Sequence, residues 1–357
     1  YYSFLRAATS VPGNSTLNKD YAAVVDALNF LASSPPEPFV IWLPGMGAHP
    51  PYGAPSPWYS MYNPNDIRSK APLRPPMPPN KPKYFSLDAG IPHWRNISSW
   101  STGDMQKLYE INSIYLGRVS YSDWIFGQLL DGITKLGYDN TTVVAISADH
   151  GDFSADSGLV EKWPGGLDDM LTRVPMIVRT PGGVKGQRVE TPINAYDTWA
   201  TFMDLAGINT THVHFARSFR ERLYGNDSGF PAPDNVVYSE GGFFYMNEIE
   251  AFDPSQHSGL YDNASDYWPR YAEDASDFPD GSPRAVMWRN ATHKLVYRPR
   301  GQSELYDYTT DPRELKNLWG EPAMKELQDF ILAELLAWYV QTGDVTPSVD
   351  DPRGLPP

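Results

Sequence analysis

Thr142-Val143-Val144-Ala145-Ile146-Ser147-Ala148-Asp149-His150-Gly151-Asp152 is the stretch on which the fold turns. Its first seven residues form a short, largely apolar run of the kind that fills a strand covered on both faces. Two further runs read the same way: Pro38-Phe39-Val40-Ile41-Trp42-Leu43 upstream and Val174-Pro175-Met176-Ile177-Val178-Arg179 downstream. Helical spacing lies between them. Residues 18–33 place Ala22, Val25, Leu28, Phe30 and Leu31 toward one side before Pro35 and Pro36, and 101–136 place Met105, Leu108, Ile111, Tyr115, Val119, Trp124, Ile125, Leu129, Ile133 and Leu136 so, with Gly137 as the stop. A third helix is predicted over about 195–206, ahead of a strand at Val236-Val237-Tyr238-Ser239. Buried strands alternating with helices predict an α/β fold with a mainly parallel central sheet flanked by helices.

The tail has a different rhythm. Residues 284–289 and 293–298 alternate in strand fashion, Glu304-Leu305-Tyr306-Asp307 returns, and a helix is predicted from Pro322 to Tyr339. The chain therefore divides into an α/β part (1–240), an acidic aromatic insertion (241–280) and a C-terminal antiparallel-sheet plus helix subdomain (281–357). The insertion holds nine acids against Arg270 alone, so it carries −8 of the net −14, and it also holds nine aromatics. Such a stretch describes a surface loop pinned by its aromatics, or a sugar-stacking wall beside a site.

With 29 Lys+Arg against 43 Asp+Glu, the chain lacks the basic face that nucleic acid requires. No run is long and apolar enough for a membrane span. Cysteine is absent, which removes disulfides, thiolate metal sites and Cys nucleophiles within these 357 residues. Seven N-x-S/T sequons, at Asn14, Asn96, Asn140, Asn209, Asn226, Asn263 and Asn290, predict an N-glycosylated protein of the eukaryotic secretory pathway, secreted or lysosomal.

Asp149 and His150 fall at the C-terminal end of a strand, where open α/β sheets place their ligands, and a carboxylate beside an imidazole suits a divalent metal. Gly151 reads as the residue that lets a ligand approach. Alone, Asp-His-Gly also describes an Asp capping a helix beside a surface His.

The surrounding motifs widen the argument. Gly158-Leu159-Val160-Glu161-Lys162 follows, then Arg173-Val174-Pro175-Met176-Ile177-Val178-Arg179-Thr180-Pro181-Gly182. Upstream, the apolar run from Pro38 opens into a Pro-rich loop with His49. Downstream stand Glu304-Leu305-Tyr306-Asp307 and Asp311-Pro312-Arg313-Glu314-Leu315-Lys316-Asn317-Leu318. Together, in this order, these segments resemble the sulfatase family of the alkaline-phosphatase superfamily. The resemblance implies hydrolysis of sulfate esters at a divalent-metal site, usually calcium, with Asp149 and His150 among the ligands. It also implies Lys162 as the cation that bridges a sulfate oxygen and the leaving oxygen, and His49 as the imidazole that protonates the leaving group. His150 stands where relatives have Asn or His, so it either reaches the metal or hydrogen-bonds the nucleophile. Singly, Lys162 could be a solvated lysine and His49 a loop histidine packed on prolines.

Two departures from the family pattern matter. Ser157 stands where relatives often have His. The formylglycine nucleophile, made from Cys or Ser in a C/S-x-P-S-R motif, is absent, as are the early Asp pair and the G-K-x-H segment. Lys70-Ala71-Pro72-Leu73-Arg74 and Ser282-Pro283-Arg284 are the nearest strings, and both lie out of family order. The sequence thus predicts a carboxy-terminal chain whose partner is the amino-terminal chain of the same precursor. A phosphatase or phosphonate hydrolase of the superfamily, and a non-catalytic secreted relative, are the alternatives. The acidic, aromatic insertion favours a small or lightly charged sulfate ester, such as a sulfated sugar unit, over a heavily sulfated polysaccharide.

Overall fold

The computed structural model describes residues 19–45, 47–50, 52–74, 102–162, 165–226, 235–242 and 284–343. Asn14, Asn96, Asn263, nearly all of the acidic insertion and the end of the tail lie outside these residues.

Helix α1 (Lys19–Ala32) buries Val24, Ala27 and Leu31 and ends where the Ser33 hydroxyl donates to the Phe30 carbonyl. Helix α2 (Pro64–Lys70) follows ordinary end rules: the Asn63 side chain accepts from the Asn65 N–H, Pro64 opens the first turn, and Arg68 and Lys70 close the last. Both lean on α3 (Thr102–Lys135), the longest element, which stops at Gly137 with a left-handed φ of 82°. There the Gly137 and Tyr138 N–H groups fold back onto the Thr134 and Ile133 carbonyls, a Schellman-type closure. Two glycines of α3 permit close packing: a Cβ at Gly132 would strike Leu28 of α1, and one at Gly117 would strike the Trp58 carbonyl of the Trp58–Ser60 turn. The α3 face differs from its predicted stripe at two places, since Val119 and Leu136 are exposed whereas Tyr121 and Ile114 are buried. Tyr121 joins Trp58, Trp124, Val24 and Ile125 in one aromatic-rich cluster.

Strand β1 (Val144–Ser147) and, after the short α4 (Asp169–Thr172), strand β2 (Met176–Arg179) form a two-stranded sheet, paired antiparallel with Ser147 opposite Met176. The α/β architecture is as the sequence predicts, and within it β1 and β2 pair antiparallel to one another. An apolar run records burial and has no direction, so the pattern could not show this pairing. Burial is corrected. Both strands are half-exposed, and Ile177 stands in solvent. The segment 38–43 forms no strand: Val40 is 95% and Trp42 82% exposed, and no strand among the described residues lies alongside to take up its backbone groups.

Helices α5 (Asp197–Leu205) and α6 (Arg220–Leu223) precede the tail sheet. That sheet runs β3-β4-β5-β6, all antiparallel: Val237–Gly241, Ala285–Arg289, His293–Tyr297 and Glu304–Asp307. Strand β3 precedes the insertion in sequence yet belongs to the same sheet as the strands after it. Helix α7 (Lys325–Thr342) lays Ile331 and Leu335 on Val286, Trp288, Leu295 and Leu305. The other face of the sheet, Ala285, Met287 and Val296, meets Leu167 from the loop beyond β1. The tail sheet is therefore covered on both sides, and one of those covers is the segment that carries the site.

Candidate active site

Three loops converge on the N-terminal half of α3. The first, 45–52, is held by Arg118 of α3, whose Nε donates to the Gly47 carbonyl at 2.5 Å while Nη2 pairs with Asp20 of α1 at 2.6 Å. The second, 149–154, leaves β1 and is caught where the Asn112 amide donates to the Ser154 carbonyl at 2.9 Å. The third, 155–162, buries Ala155 and Val160 against Tyr52, Leu108, Ile111 and Ile114.

Asp152 and Tyr52 lock these loops together. The Tyr52 hydroxyl donates to both Asp152 oxygens, at 2.9 and 3.0 Å, and accepts the Glu161 N–H at 3.1 Å. Asp152 Oδ1 also accepts from the Ser154 N–H at 2.6 Å. Burial raises the Asp152 carboxyl above its usual range, and burial reinforced by Asp152 lifts the Tyr52 phenol well above 10, so Tyr52 remains a donor. The backbone is strained here: Ser154, Ala155, Ser157 and Glu161 all have positive φ, between 46° and 78°. Left-handed non-glycine residues each cost about 1 kcal/mol or more and gather where a site dictates the backbone.

His49 and Lys162, 113 residues apart in sequence, meet with Lys162 Nζ 3.3 Å from His49 Nε2. The other ring nitrogen, Nδ1, lies 2.6 Å from the Pro50 carbonyl; a carbonyl only accepts, so Nδ1 carries a hydrogen. That leaves Nε2 facing Lys162 and open to the surface. Asp149 and His150 make a second pair, with Asp149 accepting the His150 N–H at 2.9 Å and His150 Nε2 3.5 Å from the carboxylate. The Asp149 side chain is 87% exposed.

Gly151 corrects the sequence reading. Its bare Cα faces the protein: the Met170 carbonyl of α4 packs where a Cβ would be, and the Gly151 N–H donates to Leu171 at 2.8 Å. The glycine admits a backbone and not a ligand. Ser157, the departure from the family's His, is fully buried in the strained loop.

Asp149 and His150, just beyond the end of β1, could offer a divalent ion one oxygen and one nitrogen donor. No group of three or more metal-binding side chains occurs among the described residues. Sequence reasoning missed Glu161, whose side chain is 1% exposed and lies between His49 and Lys162; it also missed the roles of Tyr52 and Asp152. Glu161 stands inside the quoted Gly158-Leu159-Val160-Glu161-Lys162 segment, and its signal was its place beside Lys162 at the end of an apolar pair.

Asn140, Asn209 and Asn226 are exposed, as glycan acceptors must be. Asn290 is half-buried in the β4–β5 turn, its side-chain oxygen accepting from the Thr292 and His293 N–H groups.

The fold is the alkaline-phosphatase-like one of the solved structures to which it is similar. The structure of a phosphonate monoester hydrolase from Agrobacterium radiobacter superposes with a TM-score of 0.71 over 94% of this chain and 62% of that one, at 19% identity. The sulfatase family model matches residues 7–208, and the chain belongs to the sulfatase family. A multifunctional alkaline phosphatase superfamily protein, PehA of Trinickia caryophylli, is 23% identical over 92% of this chain and 61% of its own. A choline-sulfatase of Rhizobium meliloti is 27% identical over 58% of this chain and 33% of its own. The chain spans about half the length of the curated relatives it matches.

Proposed function

We propose that the protein hydrolyses sulfate esters, with Lys162 and His49 handling the leaving oxygen and with the nucleophile, a formylglycine, supplied by an amino-terminal part of the same precursor. The observation that carries this reading is the 3.3 Å approach of His49 and Lys162, two groups from separate family motifs brought to one point. As the S–O bond to the leaving group breaks, its electron pair stays on the departing oxygen, which takes the proton from His49 Nε2 and leaves as an alcohol. The formylglycine, hydrated by one water to a gem-diol, would supply the oxygen that takes up the sulfuryl group, and its second hydroxyl would let sulfate leave as the aldehyde re-forms. Lys162 stabilises charge on the sulfate and the departing oxygen throughout. Asp149 and His150 would hold part of a divalent ion, calcium by family habit, which when bound supplies positive charge to the sulfate oxygens.

Support for an amino-terminal partner comes from the exposed apolar residues Val40, Ile41 and Trp42, which have no strand beside them among the described residues, in a chain that spans about half the length of the relatives it matches. The sequons place the protein in the secretory pathway as a glycoprotein, secreted or lysosomal. The acidic insertion favours a small or lightly charged sulfate ester, such as a sulfated sugar unit.

The structural likeness to a phosphonate monoester hydrolase favours one second reading, turnover of phosphate or phosphonate esters at the same groups. Side-by-side assay of sulfate, phosphate and phosphonate monoesters with the intact protein decides. Faster sulfate turnover, abolished by Lys162→Ala, is expected. Preference for a phosphorus ester would replace the sulfatase reading, and turnover of neither would point to a non-catalytic relative.

A further inference from the structure

Two groups that can both carry positive charge, His49 and Lys162, stand 3.3 Å apart, and something must offset their repulsion when the imidazole is loaded with a proton. Glu161 occupies that position. Its Oε1 receives Lys162 Nζ at 2.7 Å and lies 3.4 Å from His49 Nε2, while the carboxylate is shielded from solvent. The backbone takes a left-handed φ of 64° at this residue, with its N–H held by Tyr52 and Asp152 and its carbonyl accepting from the Phe153 N–H. The chain is thus anchored on both sides of the Cα, which fixes the direction in which the side chain leaves the backbone.

We infer that Glu161 is a positioning residue for protonation of the leaving group. It fixes the ammonium of Lys162 and offers Nε2–H of the imidazolium a counter-charge, so that proton donor and cation act at one oxygen. The inference rests on the sulfate-ester reading above. A proton donor matters most when the departing oxygen is a poor leaving group, and hardly at all when the departing phenolate is already stable. Loss of Glu161 should therefore act selectively along a series of leaving groups.

The test uses the intact enzyme with its nucleophile segment and a graded series of sulfate esters, from 4-nitrophenyl sulfate through unsubstituted phenyl sulfate to an alkyl sulfate. In Glu161→Gln, kcat should fall about 10- to 100-fold for the alkyl ester and less than about threefold for the nitrophenyl ester, with KM little changed. In a His49→Gln background the same substitution should add no further leaving-group dependence, because its effect runs through the imidazole. A uniform loss across the series, or an effect that adds to that of His49→Gln, would overturn the inference and leave Glu161 a structural acid. Thermal unfolding of each variant identifies a folding failure, and Glu161→Asp then repeats the series with the charge kept. If the unsubstituted enzyme turns over no sulfate ester, the failure belongs to the proposed function, and this inference falls with it.

Discussion

Gly151 sits one residue beyond His150, and any side chain there must push against the Met170 carbonyl of α4. Backbone yields less easily than the tip of a side chain, so Gly151→Ala should destabilise the protein by roughly 1–3 kcal/mol, read as a lower denaturant midpoint at unchanged slope. A midpoint unchanged from the parent would mean that α4 moves aside freely. Asp307 gives a second residue-scale expectation. Hydrogen bonds from the Thr309 hydroxyl at 2.6 Å and the Thr309 N–H at 2.8 Å hold its carboxyl below the usual range. A depressed carboxylate adds stability above its unfolded value and loses it as pH falls through the folded one. The stability gap between the protein and Asp307→Ala should be constant from about pH 8 to 5 and close below about pH 4, the carboxylate range; a gap that persists at pH 2 would refute it. At this scale the motif residues Asp149, His150, His49 and Lys162 were legible because each belongs to an ordered string. Tyr52, Asp152 and Glu161 were not, since the bonds that give them roles span about a hundred residues of sequence.

Helices α1, α3, α5 and α7 were legible because a side chain every three to four residues has only one simple interpretation, and Gly137 marks the end of α3; α2, opened by Pro64 inside a proline-rich stretch, was not. The strands were legible as apolar runs but not in direction or partner. Residues 38–43 show the difference most clearly: the composition is that of a buried strand, and the structure leaves Val40 and Trp42 in solvent. A run so apolar is costly in water, at about 25 cal/mol per Å² of uncovered surface. If an amino-terminal part covers it, the backbone N–H groups of 39–43 will pair with that part. In the intact protein, hydrogen exchange of these amides should then be slowed at least about 100-fold relative to an unstructured peptide, as expected of sheet amides. Exchange at the unstructured rate would remove the support this segment gives to a two-part enzyme.

Across the molecule, the tail is bound to the site-bearing part by charges as well as by apolar contact. Glu314, from the Asp-Pro-Arg-Glu string, sits at the centre: Lys294 of β5 reaches its Oε1 at 2.5 Å, the Tyr308 hydroxyl donates to it at 2.6 Å, and Arg74 lies 3.7 Å from Oε2. Arg74 also pairs with Asp156 of the strained loop at 3.0 Å, and the Asp169 N–H of α4 donates to Glu314. Arg289 of β4 completes the link to Asp169 at 3.1 Å. The sequence displayed these strings as a family signature without showing what they do. Their charges lie too far apart in the chain to be paired by inspection, and a buried ion pair leaves no periodicity. Lys294, Glu314 and Arg74 are all nearly excluded from water, so removing the acid takes from Lys294 its buried counter-charge and leaves Arg74 with Asp156. Glu314→Ala should cost about 3–5 kcal/mol, and it should lower the unfolding midpoint of the site loops together with that of the tail, since both ends of the link are cut. Replacing the pair by Lys294→Met with Glu314→Leu should recover part of that loss, because the uncompensated charge on Lys294 is then gone. A cost below about 1 kcal/mol for Glu314→Ala, the level of a surface ion pair, would show that the tail is held to the site by its apolar face alone.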